Sequence, residues 1–149
     1  MKYYLIHENQ IYIAENQEAL RRYYTEDIKI LPDDYNSEKY IVVDGELILN
    51  PDYEKEQEEK EKERVKMLSC TKRDFALMLQ EIGITYTQLK ELIAQNEQAQ
   101  LEWDLCEKLY RFNPLLDVMA AQLGITSLQL DMIFKTINGE NTVDELKSV

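Results

Sequence analysis

Apolar residues recur at two different spacings along the chain, and the change between them separates three segments. Residues 1–50 contain short runs of β-branched and aromatic residues between polar turns, which is typical of strands. Residues 68–149 contain apolar residues three and four positions apart, which is typical of amphipathic helices. Between them, residues 51–67 are dominated by charged side chains. We therefore predict an α+β protein with a small N-terminal α+β domain that contains β-hairpins (1–50), a charged linker helix (51–67) and a C-terminal all-α bundle of about five helices (68–149).

The N-terminal segment predicts hairpins and one short helix. Its sharpest signal is Asp44-Gly45, the dipeptide that suits a two-residue type I′ turn, between the apolar runs Tyr40–Val43 and Glu46–Leu49. The polar residues 7–10 suit a hairpin link between two earlier strands. The remaining elements are two strands, a helix capped by an asparagine and a third strand: Tyr3–Ile6, Ile11–Ile13, the helix beginning at Asn16, and Ile28–Leu31. The predicted order is β-β-α-β-β-β.

The helical segment contains two similar helix-turn-helix units, Phe75–Ile93 and Leu116–Phe134. Aligning Gly83 with Gly124, an offset of 41 residues, matches the shared core Gly-Ile-Thr-x-x-Gln-Leu. In each copy the glycine can close one helix in the left-handed conformation, and the threonine and glutamine can form a capping box that begins the next helix. The segment therefore predicts an internal helix-turn-helix repeat.

Glu97–Phe112 lies between the two copies and carries apolar residues on two helical faces. A helix that is apolar on two sides packs against partners on both sides. We therefore predict a single helix at the centre of the bundle, with the two repeats packed around it. The two stripes are Leu101, Leu105, Leu109 and Phe112, and Ala99, Trp103, Cys106 and Tyr110.

Composition adds a strong negative charge to this picture. Seventeen basic residues against 29 acidic ones give a net charge of −12, which repels phosphate backbones and anionic membrane surfaces. No run approaches the ~18 apolar residues of a membrane-spanning helix, and residues 1–10 do not resemble a signal peptide. We predict a cytoplasmic protein without a nucleic-acid or membrane partner.

Candidate chemistry is sparse. Cys70 and Cys106 lie 36 residues apart and the chain has a single histidine, His7, so metal-site spacing is absent. Lone cysteines in apolar contexts favour reduced core residues over a disulfide. The acidic residues lie mostly on polar helix faces, and neither a glycine-rich phosphate loop nor a G-x-S-x-G motif occurs. We predict no catalytic residues, no cofactor and no metal site.

Tyrosine is the most informative residue type in the N-terminal half. Seven of the ten tyrosines lie within the first 40 residues, more than a small domain readily buries. Tyrosines favour strands, which suits a core role, but exposed tyrosines are also favoured at protein interfaces. Both interpretations remain open, and a surface for a partner or for self-association would use Tyr3, Tyr12, Tyr23, Tyr24, Tyr35 and Tyr53.

A DNA-reading helix-turn-helix is a separate hypothesis for the second repeat. Ala120–Thr126 has the small-residue helix and glycine turn of that motif, and Ser127–Met132 would be its recognition helix. Lys135 is the only basic residue nearby, whereas phosphate contacts normally supply most of the affinity. The charge therefore disfavours a transcriptional regulator.

Three stretches together resemble small accessory proteins of prophage tail gene clusters. These are the hairpin and its proline (Val43–Tyr53), the charged helix that ends at Arg64 followed by Leu68–Phe75, and Asn113–Leu116 with the helix that follows. The resemblance implies a non-enzymatic part in tail or fibre structure or assembly, in the producing bacterial cell or on the virion, through binding to another tail protein. It transfers no functional residues. An alternative from the charge is an acidic mimic of nucleic acid that inhibits a host protein.

Overall fold

The computed structural model describes all residues, 1–149, and divides them into an N-terminal unit (1–58) and a C-terminal unit (59–149). Small antiparallel sheets and eight helices confirm the predicted α+β class. In chain order the elements are β1 (Tyr3–His7), β2 (Gln10–Ala14), α1 (Gln17–Arg21), β3 (Lys29–Ile30), β4 (Tyr40–Val43), β5 (Glu46–Leu49), α2 (Tyr53–Lys66), β6 (Ser69–Cys70), α3 (Lys72–Glu81), α4 (Tyr86–Ala94), α5 (Glu97–Leu105), β7 (Leu109–Tyr110), α6 (Pro114–Gln122), α7 (Ser127–Ile137) and α8 (Val143–Lys147).

The N-terminal unit has the predicted β-β-α-β-β-β order. Its three-stranded antiparallel sheet has the order β2-β1-β3, and β4 pairs with β5 as a separate hairpin. Asp44 (φ 50°) and Gly45 (φ 79°) form the expected tight turn. The first hairpin is tighter than predicted, because His7 already pairs with Gln10 and only two residues, both with positive φ, remain in its turn.

The charged helix α2 is anchored to the C-terminal unit at its second half. Glu61 accepts hydrogen bonds from Arg64 at 2.8 and 2.9 Å and lies 3.3 Å from the Nζ atom of Lys135. Arg64 also donates to Glu140 at 2.6 Å. The hydrogen bonds from Arg64, reinforced by Lys135, lower the pKa of Glu61 to about 2. The last two turns of α2 therefore belong to the C-terminal unit rather than forming an isolated spacer.

Both helix-turn-helix repeats form as predicted. Gly83 (φ 90°) and Gly124 (φ 75°) end α3 and α6 in the left-handed conformation, which only glycine adopts at little cost. The next residue closes the corner in the same way in each copy: Ile84 N–H donates to the Leu79 carbonyl at 2.9 Å, and the equivalent bond in the second copy is 2.8 Å long. Capping boxes then begin α4 and α7. A sixth helix in the bundle region, α8, completes the unit.

The prediction of one central helix over Glu97–Phe112 is wrong. α5 ends at Leu105, and Cys106 has an extended backbone (φ −76°, ψ 139°). Leu101 and Leu105 are 57% and 73% exposed, so the first apolar stripe faces solvent over most of its length. In the second stripe Ala99 is buried and Trp103 is half-buried. α5 is therefore a peripheral helix with one buried side, and the repeats do not pack around it.

The chain after α5 becomes a strand because its amides bond to an earlier segment. Leu109 pairs with Cys70 and Tyr110 with Ser69 in the two-stranded sheet β6–β7. Beyond it, Arg111 N–H donates to the Leu68 carbonyl at 2.9 Å. Burial alternates residue by residue from 109 to 112, which is the strand period, with Arg111 at one of the two inward positions.

Arg111 is the one strongly buried charge of the C-terminal unit, with a side chain only 7% exposed. Its guanidinium donates to Asp131 on α7 at 2.6 Å and to Asp117 on α6 at 3.2 Å. It also donates to the Ser127 hydroxyl at 3.1 Å. This side chain thus ties β7 to the first turns of both helices of the second repeat.

α7 occupies the centre of the C-terminal unit, where α5 was expected. Its residues Leu130, Ile133 and Phe134 have no measurable exposure. The ring of Phe134 lies 6.0 Å from that of Phe75 on α3. The core is therefore built where one helix of each repeat meets the other.

We expect Arg111→Met to lower the free energy of unfolding of the C-terminal unit by about 2–3 kcal/mol, because Asp131 and Asp117 would lose their buried partner. Urea denaturation followed by the fluorescence of Trp103 measures this directly. The matched control is Lys108→Met, an exposed cation on the preceding loop, which should change the value by less than about 0.5 kcal/mol. Equal effects of the two substitutions would contradict the role given to Arg111.

Candidate interaction surface

The six tyrosines predicted to form an interaction surface fall into separate environments. Tyr23, just after α1, is 80% exposed. The other five are half-buried: Tyr3, Tyr12, Tyr24, Tyr35 and Tyr53. Ring contacts join Tyr12 to Tyr24, whereas Tyr35 stacks on Tyr40, a tyrosine that the prediction omitted. The structure therefore brings some of the predicted residues together and leaves others elsewhere in the N-terminal unit.

Tyr12, Tyr24 and His7 form an aromatic cluster on one face of the β1–β2 hairpin. The centroids of Tyr12 and Tyr24 are 4.6 Å apart, and the His7 ring lies 5.1 Å from Tyr24. The strand register explains the arrangement, since Leu5 pairs with Tyr12 and His7 with Gln10, which places these side chains on the same face. The turn after α1 then brings Tyr24 over that face, with Tyr23 next to it in solvent.

Glu26 completes this cluster, since its carboxylate accepts a hydrogen bond from Nδ1 of His7. That bond, aided by the nearby negative charge, raises the pKa of His7 above its ordinary value of 6.5. The same bond lowers the pKa of Glu26 below its ordinary value of 4.5. The two shifts widen the pH range in which both groups are charged, and in that range a protonated imidazole lies beside two tyrosine rings.

The sequence did not identify the His7–Glu26 pair. The sequence predicts a turn at His7, but this residue ends strand β1. Its partner Glu26 is 19 residues further along the chain, beyond helix α1. The sequence does contain a signal for part of the cluster: in a tight hairpin the strand period places His7 and Tyr12 on the same face of the sheet. No pattern in the sequence indicates the position of Glu26.

A second polar and aromatic group surrounds Tyr40 at the start of β4. Tyr40 donates its hydroxyl hydrogen to Asp34 at 2.7 Å, and Lys39 forms an ion pair with the same carboxylate. These bonds, the one from Lys39 above all, lower the pKa of Asp34. Tyr35 lies over the Tyr40 ring at 5.9 Å. These tyrosines are therefore engaged in holding the loop before β4, which suits a structural role.

Strand β2 gives the His7 cluster an open side within the N-terminal unit. It is an edge strand of the three-stranded sheet, so one row of its backbone N–H and C=O groups has no strand partner in that sheet. Open strand edges can pair with an added strand from another chain. We name the combination of Tyr12, Tyr23 and Tyr24 with edge strand β2 the aromatic edge.

Helix α7 contains the recognition helix of the DNA-binding hypothesis, but its side chains contact other parts of the C-terminal unit. Leu130 is buried in the core, as an anchor residue of such a motif would be. Asp131 bonds to Arg111, and Lys135, the sole basic residue of the helix, lies against Glu61. The outward face of α7 therefore offers no free cation for a phosphate group.

The side chains that could bind a metal ion are dispersed, and the two cysteines do not form a reactive site. No group of three or more His, Cys, Asp or Glu side chains is arranged to hold a metal ion. Cys70 and Cys106 are free thiols, as expected. Burial, with a smaller contribution from the charge of Asp74, raises the pKa of Cys70 to about 12, so its thiol is protonated at neutral pH.

Comparisons with protein families, with curated proteins and with solved structures gave no significant match to this chain. None of the eight helices combines the length and the apolar character that crossing a bilayer would require.

We expect the imidazole of His7, the only histidine, to titrate above pH 6.5 in the folded protein, because Glu26 stabilises its charged form. The raised pKa of His7 contributes stability that is complete below pH 6.5 and lost as the pH rises through the folded-state value. The lowered pKa of Glu26 contributes stability that is lost as the pH falls below 4.5. NMR titration of the ring protons measures the first effect, and thermal unfolding from pH 2 to 8 measures both.

Glu26→Gln should return the pKa of His7 towards 6.5 and flatten the loss of stability above that pH. Glu15→Gln, which removes an exposed carboxylate paired with Lys2 instead, is the matched control. A His7 pKa at or below 6.5 in the unsubstituted protein would show that the pair does not form.

Proposed function

We propose that this protein is a non-enzymatic accessory protein of a phage tail or tail fibre, and that it acts by binding another tail protein through the aromatic edge. The observation that carries the proposal is Tyr23, which is 80% exposed and next in the chain to Tyr24, whose ring contacts that of Tyr12. An exposed tyrosine in this setting offers rigid contact area at a low entropic cost. The resemblance of the hairpin, the charged helix and the Asn113-Pro114 helix to prophage tail accessory proteins supports the kind of partner.

Edge strand β2 offers a second element of recognition. A partner strand paired to its open side would gain backbone hydrogen bonds, and the tyrosines next to it would add side-chain specificity. A second copy of this chain could use the same edge, so self-association is the alternative outcome. In the proposed role the protein is made in the bacterial cytoplasm and acts during tail assembly or on the virion.

The acidic-mimic alternative receives less support from the arrangement of charges. Imitation of a phosphate backbone calls for a continuous line of negative charge. Along α2, six glutamates alternate with five basic residues. Ion pairs also neutralise several carboxylates, among them Glu61 on α2 and, outside it, Asp131 and Glu140. The tail-protein proposal is therefore preferred.

The test is co-expression of the full chain with each tail protein encoded beside its gene, followed by size-exclusion chromatography with light scattering. We expect a stable complex with one of them. Tyr23→Ser should weaken that complex about tenfold, or by about 1.4 kcal/mol, because it removes an exposed interface anchor without disturbing the core.

The matched control is Phe112→Ser, which removes an exposed aromatic ring from the C-terminal unit and should leave the affinity unchanged. A protein that remains monomeric with every tail component would overturn the proposal. Assembly of the protein alone, lost in Tyr23→Ser, would assign the aromatic edge to self-association instead.

A further inference from the structure

A groove on the C-terminal unit has a charge opposite to that of the protein as a whole. It lies between α3, the first residue of α4 and the last turn of α5, and it has a volume of 470 Å³. Its lining includes Lys72, Arg73, Leu77, Tyr86 and Trp103. We call it the basic groove. Its volume is within the ~300–1,000 Å³ that is usual for ligand sites.

The basic groove lies along the face of α3 that does not pack into the core. Phe75 and Leu79 of α3 are buried in the core. The helical period places Arg73 and Leu77 on the opposite side, where they border the groove together with Lys72 of the first turn. Leu77 and Tyr86 are each 45% exposed, so an apolar surface remains available there.

The charge of the basic groove is distinctive for this chain. Its lining includes two basic residues and no carboxylate, although the chain has 29 acidic residues against 17 basic ones. Four other clefts of the protein each include at least one Asp or Glu. The nearest carboxylate in sequence is Asp74, which lies 3.4 Å from the Arg73 guanidinium, while Arg73 itself is 81% exposed.

Cations and aromatic rings are combined in this groove. Lys72 donates to the Trp103 carbonyl at 2.7 Å, and its Nζ atom lies 5.9 Å from the centre of the Trp103 ring. Lys90 does not line the groove, but its Nζ atom lies 5.6 Å from the centre of the ring of Tyr86, which does. Lys72 therefore joins the start of α3 to the end of α5. Arg73, which is 81% exposed beside Asp74, and the exposed Lys90 present their charges to solvent, where an anion can reach them.

We propose that the basic groove binds an acidic peptide segment of a partner protein that carries a bulky apolar side chain. The apolar side chain would lie between Leu77 and Trp103, and flanking carboxylates would pair with Arg73 and Lys90. The proposal concerns a different unit and different residues from the aromatic edge, so it does not depend on the proposed function.

The same charges favour a peptide over a nucleic acid. The C-terminal unit has 15 acidic residues and 11 basic ones, so a long polyanion would be repelled outside the groove. A short acidic segment places only a few carboxylates near the two or three cations and the rest of its chain in solvent. The apolar part of the groove also matches a side chain better than a phosphate backbone.

Trp103 is the only tryptophan in the chain, and it lines the basic groove, so its emission reports occupancy directly. The probe is an acetylated and amidated octapeptide of Glu and Asp with a central Phe, titrated into the full-length protein at 50 mM salt. We expect a saturable change in emission, with a Kd on the order of 100 µM, that weakens as salt is raised. The peptide with Gln and Asn in place of the acids should bind at least tenfold more weakly.

Arg73→Glu and Lys90→Glu should each raise the Kd at least fivefold, since both side chains are exposed and their replacement leaves the core intact. Lys108→Glu makes the same change of charge outside the groove and should alter the Kd less than twofold. Circular dichroism verifies that the variants are folded, and isothermal calorimetry repeats the titrations without relying on emission.

Three results would overturn the proposal. The first is the absence of both an emission change and binding heat up to 1 mM peptide (about −4 kcal/mol of affinity). The second is equal binding of the neutral peptide, and the third is tighter binding of an eight-nucleotide poly-dT. Loss of peptide binding in Arg73→Glu together with an intact Tyr23-dependent complex would show that the two surfaces act separately.

Discussion

Packing between α3 and α7 is the constraint on which the C-terminal unit depends. The two helices come from different repeats and meet at Phe75 and Phe134, surrounded by Leu79, Leu130 and Ile133, all nearly inaccessible to solvent. Burying each such side chain contributes about 1.5–3 kcal/mol, so this contact supplies a large share of the favourable energy of the unit. It also commits one face of α3 to the core and leaves its other face as a wall of the basic groove.

The elements that the sequence predicted correctly are those determined by local chemistry. Asp44-Gly45 and the two Gly-Ile-Thr-x-x-Gln-Leu corners specify backbone conformations within a few residues, and the structure contains all three. Positive φ at Gly83 and Gly124 and the capping boxes that follow require no information from the rest of the fold. For the same reason the sequence predicts the helix-turn-helix geometry but not what the motif binds.

The errors arose where a distant partner determines the local structure. Leu109 and Phe112 match a helical stripe, but their segment becomes a strand because residues 66–70 accept its hydrogen bonds. A buried arginine concealed the alternating pattern, since Arg111 occupies an inward position that a sequence reader assigns to an apolar residue. The pairing of His7 with Glu26 likewise depends on a distant partner. Abundance alone groups six tyrosines, but only Tyr12 and Tyr24 of that group have rings in contact with each other.

α7 with α3, and not α5, forms the core of the C-terminal unit. Amide hydrogen exchange followed by NMR distinguishes these helices, because the slowest amides mark the last structure to open. We expect Ile133 and Phe134 to exchange slowest, together with Leu79, while the amides of Leu101 and Leu105 exchange much faster. Protection of residues 97–112 as one continuous helix, equal to that of α7, would contradict this account.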